Sequence, residues 1–120
     1  MTVREAIDKT DALMPNVCAY AKKASLLAAL DERTENEFFS YFSDNARCFS
    51  GGYEEPDKEL LIPDPFSELY VSYLALKTAL SEGDVAAFSN FSQLFNTEYL
   101  AFKNWYIRFH TPLGRKIKMD

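Results

Sequence analysis

Glu35, Glu37, Glu54, Glu55, Asp57 and Glu59 are the side chains of this sequence with the most capacity for chemistry. Carboxylates this close in a chain can share acid and base roles or hold a hard cation. Their spacing argues against both. None belongs to an ExxH pair or any other metal-ligand pattern, and runs of charge usually form solvated faces. The one histidine, His110, stands beside Arg108 and before Pro112. At a helix end it complements the dipole, and it has no second member for a Ser-His-Asp or Cys-His set. Cys18 and Cys48 lack CxxC spacing and read as unreactive thiols. Gly51-Gly52 lacks the Lys and Ser/Thr of a phosphate loop. No catalytic, cofactor-binding or metal-binding residue is assigned, and an enzyme is not expected.

The chain has 120 residues, the length of one domain, with ten Phe and seven Tyr. Chains so rich in aromatics fold. The net charge is −5; Arg115, Lys116 and Lys118 against Asp120 contribute +2, so residues 1–114 carry −7. An acidic body repels phosphate and disfavours an extended DNA-binding face. No stretch approaches the roughly 20 apolar residues of a membrane span, and the start lacks a signal-peptide layout. The chain is expected in a reducing cytosol unless it leaves inside a larger particle.

The elements that must position these residues are helical. Thr2-Val3-Arg4-Glu5 has capping-box spacing. It predicts a short helix to about Leu13, with Val3, Ala6, Ile7 and Thr10 on one side and Pro15 as its stop. A second helix is predicted from about Val17 to Phe42, with the stripe Tyr20, Ala24, Leu27, Leu30, Thr34, Phe38 and Tyr41. Lys22, Lys23, Asp31, Glu32, Glu35 and Glu37 sit mostly off that stripe. Residues 44–64 break the pattern and predict a long loop, its 44–58 part mobile. Within it, Glu59 to Pro63 is apolar enough to be an extended segment pinned on the core, with no partner strand in sight.

Asp64 and Pro65 predict the N-cap and first position of a third helix, with Phe66, Leu69, Tyr70, Tyr73, Leu74, Lys77 and Leu80 on its apolar side. Gly83 ends it and Asp84 caps the fourth, so the two form an antiparallel hairpin. The fourth helix, Val85 to about His110, carries Phe88, Phe95, Phe102 and Phe109 at seven-residue steps, with Phe91 and Trp105 between them and Glu98 as the exception. The stripe reads as the wall of a bundle core. The predicted fold is therefore all-α: a small four-helix bundle over residues 1–112, whose core stripe includes Leu69, Tyr73, Phe88, Phe95, Phe102 and Phe109, and a flexible basic tail at 113–120.

Four helices need one inward stripe each, and Phe39, Phe42, Phe49, Tyr53 and Ile107 lie off those stripes. Aromatics are enriched in interface cores. With Leu61 and Ile62, and with Arg115, Lys116, Ile117 and Lys118 of the tail, they form the candidate assembly surface.

Three blocks resemble the head–tail connectors, or adaptors, of tailed phages and prophages of Gram-positive bacteria. The first is Val3 to Asp8 with Asp11, Leu13 and Pro15-Asn16. The second is Glu59 to Phe66 with Leu69-Tyr70 and Tyr73-Leu74. The third is Phe95-Asn96, Tyr99, Phe102, Trp105-Tyr106, Arg108, His110 and Pro112. The chain departs from the family at Leu26-Leu27, where an aromatic is common, and in the loop at 44–58. The resemblance implies a helical virion subunit, made in the host cytoplasm, that forms a ring of about a dozen copies at the capsid neck. Its partners would be the portal and the next connector or tail protein, and DNA would pass through without specific binding. A cytosolic helical interaction module forming a small oligomer is the alternative from another class, and a carboxylate-based metal-dependent enzyme is a third.

Overall fold

Thr2 and Glu5 close the capping box that their spacing predicts. The Glu5 amide donates to Thr2 Oγ1 at 3.2 Å, and the Thr2 amide donates to Glu5 Oε1 at 2.8 Å. The computed structural model describes residues 1–42 and 49–109. Helix α1 spans Val3–Leu13 and buries Val3, Ala6, Ile7 and Thr10, the side read from sequence. Among the described residues there are four α-helices and no strand, in the arrangement of a small all-α bundle.

Helix α2 spans Tyr20–Glu37, shorter at both ends than predicted. The Asn16 side chain shortens its start. Its Nδ2 donates to the Met14 carbonyl at 2.8 Å and its Oδ1 accepts the Cys18 amide at 3.0 Å, which satisfies the linker backbone without a helix. At the other end the chain tightens into a 3-10 turn, Phe39–Tyr41. The tighter winding takes Phe39 fully into the core and leaves Tyr41 exposed; Tyr20, the first residue of α2, is exposed as well, so the predicted stripe loses both its ends.

The extended segment after the loop does have a partner. Its neighbour is the start of the chain: the Leu60 amide donates to the Met1 carbonyl at 3.0 Å, and Thr2 faces Glu59 in one antiparallel bridge. The Val3 and Arg4 amides donate to the Lys58 and Pro56 carbonyls, each at 2.9 Å. First-turn amides have no acceptor inside their own helix, and here the loop supplies two. Leu60, Leu61 and Ile62 are buried, as a pinned segment requires.

Helix α3 spans Leu69–Glu82, beginning five residues after Asp64. A turn closed by the Phe66 amide on the Pro63 carbonyl takes up Asp64 and Pro65, and Asp64 accepts from the Ser67 hydroxyl. A 3-10 turn, Phe66–Glu68, then leads into the helix. Every residue from Leu69 to Leu76 is buried, as are Thr78 and Ala79, and α3 touches α1, α2 and α4. A helix apolar on all sides is a central helix.

Gly83 ends α3 at φ 74°, the left-handed region. The Ala87 amide donates to Asp84 Oδ1 at 3.1 Å, and α4 runs Val85–Phe109. The α3–α4 hairpin is the main packing contact of the fold. Phe95, Tyr99, Phe102 and Tyr106 are buried, while Phe88, Phe91 and Trp105 are half-buried. Glu98, the exception in the heptad, accepts from Ser72 Oγ at 2.7 Å and so joins the two helices. Two predicted seam residues are not core. Phe109 is 64% exposed because α4, at 25 residues, outruns the 14 of α3. Leu80, beside the bend, is 57% exposed.

Candidate functional site

Of the residues predicted to form an assembly surface, five belong to the chain's own core. Phe39 and Ile62 are wholly buried, and Phe42, Tyr53 and Leu61 nearly so. The reason lies in the 3-10 turn and the pinned segment, which bring in residues that helical stripes leave out. Phe38, Phe39 and Phe42 meet Phe102 and Tyr106 in a cluster of tilted and edge-to-face rings, with centroids 4.9 to 5.9 Å apart. Such geometry stabilises beyond the area it buries. Phe49 is half-buried and stacks on Tyr53, while Ile107 is 50% exposed. Arg115, Lys116, Ile117 and Lys118 lie outside the described residues, as do Cys48, His110 and the loop residues 43–48.

Glu35, Glu37, Glu54, Asp57 and Glu59 are dispersed. Glu35 accepts the Phe49 amide, Glu37 pairs with Arg33, Asp57 with Arg4, and Glu59 with the Met1 ammonium. Glu54 lies on the rim of a cleft of about 470 Å³ between α2 and residues 49–54, with Ala21, Ala24, Ser25, Ala28 and Phe49 for walls. Among the described residues, no three His, Cys, Asp or Glu side chains come close enough to share a metal ion. Cys18 is half-buried.

The carboxylate that organises the molecule is one that sequence placed on a polar face. Asp31 is completely buried. Tyr53 donates its hydroxyl to Oδ2 at 2.5 Å, the Leu61 amide donates to the same oxygen at 3.1 Å, and Tyr70 donates to Oδ1. The Tyr70 oxygen in turn accepts the Ile62 amide at 2.8 Å. Burial raises the Asp31 pKa above the usual carboxylate value, against the lowering effect of its three donors. Burial and the neighbouring carboxylate also raise both tyrosines. Polar groups so enclosed persist only when fully satisfied. The arrangement clamps the loop to α2 and α3, and of its members Tyr53 alone lines the cleft beside α2. Lys23, also placed on the polar face, is buried and pairs with Asp11 at 2.6 Å.

What remains on the surface is the outward side of α4. Leu94, Leu100 and Ile107 are each close to half exposed or more along it. Periodicity singles out Ile107 alone of the three, as a residue off the stripes, because the phenylalanine heptad on the inner side dominates the pattern. No helix among the described residues is long and apolar enough to cross a membrane. No protein-family model, no curated protein and no solved structure matches the chain.

Proposed function

We propose that this chain is a structural subunit of a head–tail connector, forming a ring of about a dozen copies at a capsid neck. The observation that carries this reading is how the three connector-like blocks sit in the fold. The first and second share one core cluster, in which Val3, Ala6 and Ile7 are buried together with Leu60, Ile62, Leu69 and Tyr70, and α1 packs on α3. The second and third meet through Phe66, whose ring lies 5.8 Å from Phe102 and 5.3 Å from Trp105. Each block thus contributes residues to the core, Val3 and Ile7 from the first, Leu60 and Tyr70 from the second, and Phe102 and Tyr106 from the third.

In this reading the ring lies between the portal and the next connector or tail protein and encloses the DNA channel. The acidic body lets DNA pass without adhering. Arg115, Lys116, Ile117 and Lys118 reach a partner's acidic and apolar surface, the charges speeding encounter and the isoleucine anchoring it. The experiment is sedimentation and electron microscopy of the purified chain, alone and co-expressed with a portal protein. Annular particles that stack on the portal are the expected result. A closed dimer that ignores the portal would instead favour a small helical interaction module.

A further inference from the structure

The charges of this chain are unevenly spread over its helices. Four of the exposed residues of α1 are charged (Arg4, Glu5, Asp8 and Lys9), and so are four of those of α2 (Lys22, Glu32, Arg33 and Glu37). On α4 the one exposed charge is Arg108 in the last turn; the eleven exposed residues from Ala86 to Ile107 carry none. A solvated surface normally carries charge on about a quarter to a third of its residues. The two charges in that stretch are engaged elsewhere. Glu98 accepts from Ser72 of α3, and the Lys103 ammonium lies over the Tyr99 ring at 5.1 Å.

The exposed residues also have a spacing of their own. Ala86, Gln93, Leu100 and Ile107 recur every seven residues, and Asn90, Thr97 and Asn104 fall at the intervening steps of four. This is a second heptad on the side opposite the phenylalanines, about 32 Å long at the usual helical rise. Its ends and middle are small or apolar. Its amides both donate and accept, so they can meet a polar partner of either kind.

We infer that this outer face of α4 is one side of the contact between neighbouring copies of the chain, packing on a different surface of the next copy as a ring requires. The argument for a second copy is charge. Two chains of net charge −5 repel wherever their acidic surfaces approach. The α4 face is where copies meet with no like-charge pair to desolvate. A nucleic acid or a strongly charged partner would find no complementary charge there. The inference rests on the assembly reading above and names its contact.

The test introduces charge without touching the core. Leu100→Glu and Thr97→Glu, both at exposed positions, are compared with the unaltered chain and with Ala29→Glu on the exposed side of α2. Helical content is read by circular dichroism and mass by sedimentation. The expected result is an assembly for the unaltered chain and for Ala29→Glu. The α4 variants should have unchanged helicity and bind one another at least tenfold more weakly. If Leu100→Glu does not fold, Thr97→Glu carries the test. Variants that assemble like the unaltered chain overturn the inference and leave the ring intact. Variants that dissociate from a closed dimer overturn the packing on a different surface, and the ring with it. An unaltered chain that stays at one-chain mass at millimolar concentration overturns both.

Discussion

The Tyr70 hydroxyl donates to Asp31 and accepts from the Ile62 amide, so one oxygen joins α2, the loop and α3. Asp31 and Tyr70 lie 39 residues apart in sequence, and nothing local specifies their meeting. Removing that oxygen removes a donor from a buried carboxylate and an acceptor from a buried amide. Tyr70→Phe should therefore destabilise the chain by about 1–3 kcal/mol. Asp31→Ala leaves two hydroxyls and the Leu61 amide without an acceptor and should cost about 3 kcal/mol or more. Chemical denaturation measures both. A change within the error of the extrapolation for either variant would show that water replaces the network at no cost.

The same carboxylate gives stability a pH dependence of definite sign. Burial raises the folded-state pKa of Asp31 above its unfolded value. The folded chain then holds that proton more tightly. The resulting contribution is fully present below the unfolded pKa, about 3.9, and is lost as pH rises through the folded value. Glu5 and Asp64 act oppositely, since hydrogen bonds from Thr2 and Ser67 lower theirs. Their contributions are present at neutral pH and are lost as pH falls through the lowered values. The stability difference between the natural chain and Asp31→Asn isolates the first effect. It should shift against the natural chain as pH rises from about 4, and a pH-independent difference would refute the assignment.

Phe102 is wholly buried and meets Phe38, Phe39, Phe66 and Tyr106. Phe102→Ala should cost about 3–5 kcal/mol. Phe109→Ala, at the exposed end of the same heptad, should cost under about 1 kcal/mol in the unassembled chain. Thermal and urea unfolding of the two proteins side by side would separate core from surface along one stripe.

Gly83 stands at φ 74° with nothing near the position a Cβ would take. Gly83→Ala therefore meets no clash and should lose only the backbone term, about 1–2 kcal/mol. A larger loss in equilibrium unfolding would mean that the bend between α3 and α4 holds something besides its own geometry.

How much of this was legible follows from the range of each interaction. The Thr2–Glu5 box and the Gly83–Asp84 bend rest on neighbouring residues, and sequence spacing reads them correctly; the apolar run at 59–63 shows its own burial, but its partner, the start of the chain, is too distant in sequence to be seen. Asp31 is misread because an acid on a helix defaults to solvent, and only Tyr53 and Tyr70, from distant segments, make its burial tolerable. Phe39 and Phe42 break a period of 3.6, which sends them in sequence to an assembly surface. The 3-10 turn breaks the same period and returns them to the core. The outer side of α4 is hidden for the reverse reason. Its amides and small residues have no hydropathy pattern, and only the burial of the inner side shows that they form a face.

The pairing of the chain's start with residues 56–60 changes what the end of a helix does. Helix termini ordinarily fray, and their first amides exchange with solvent fastest. Here the Val3, Arg4 and Leu60 amides are held in one small ladder. None of the three can open while the others stay closed without stranding a partner. In hydrogen-exchange terms the first turn of α1 and the far end of the loop form a single opening unit. Their three amides should share one protection factor, though 56 residues separate Arg4 from Leu60.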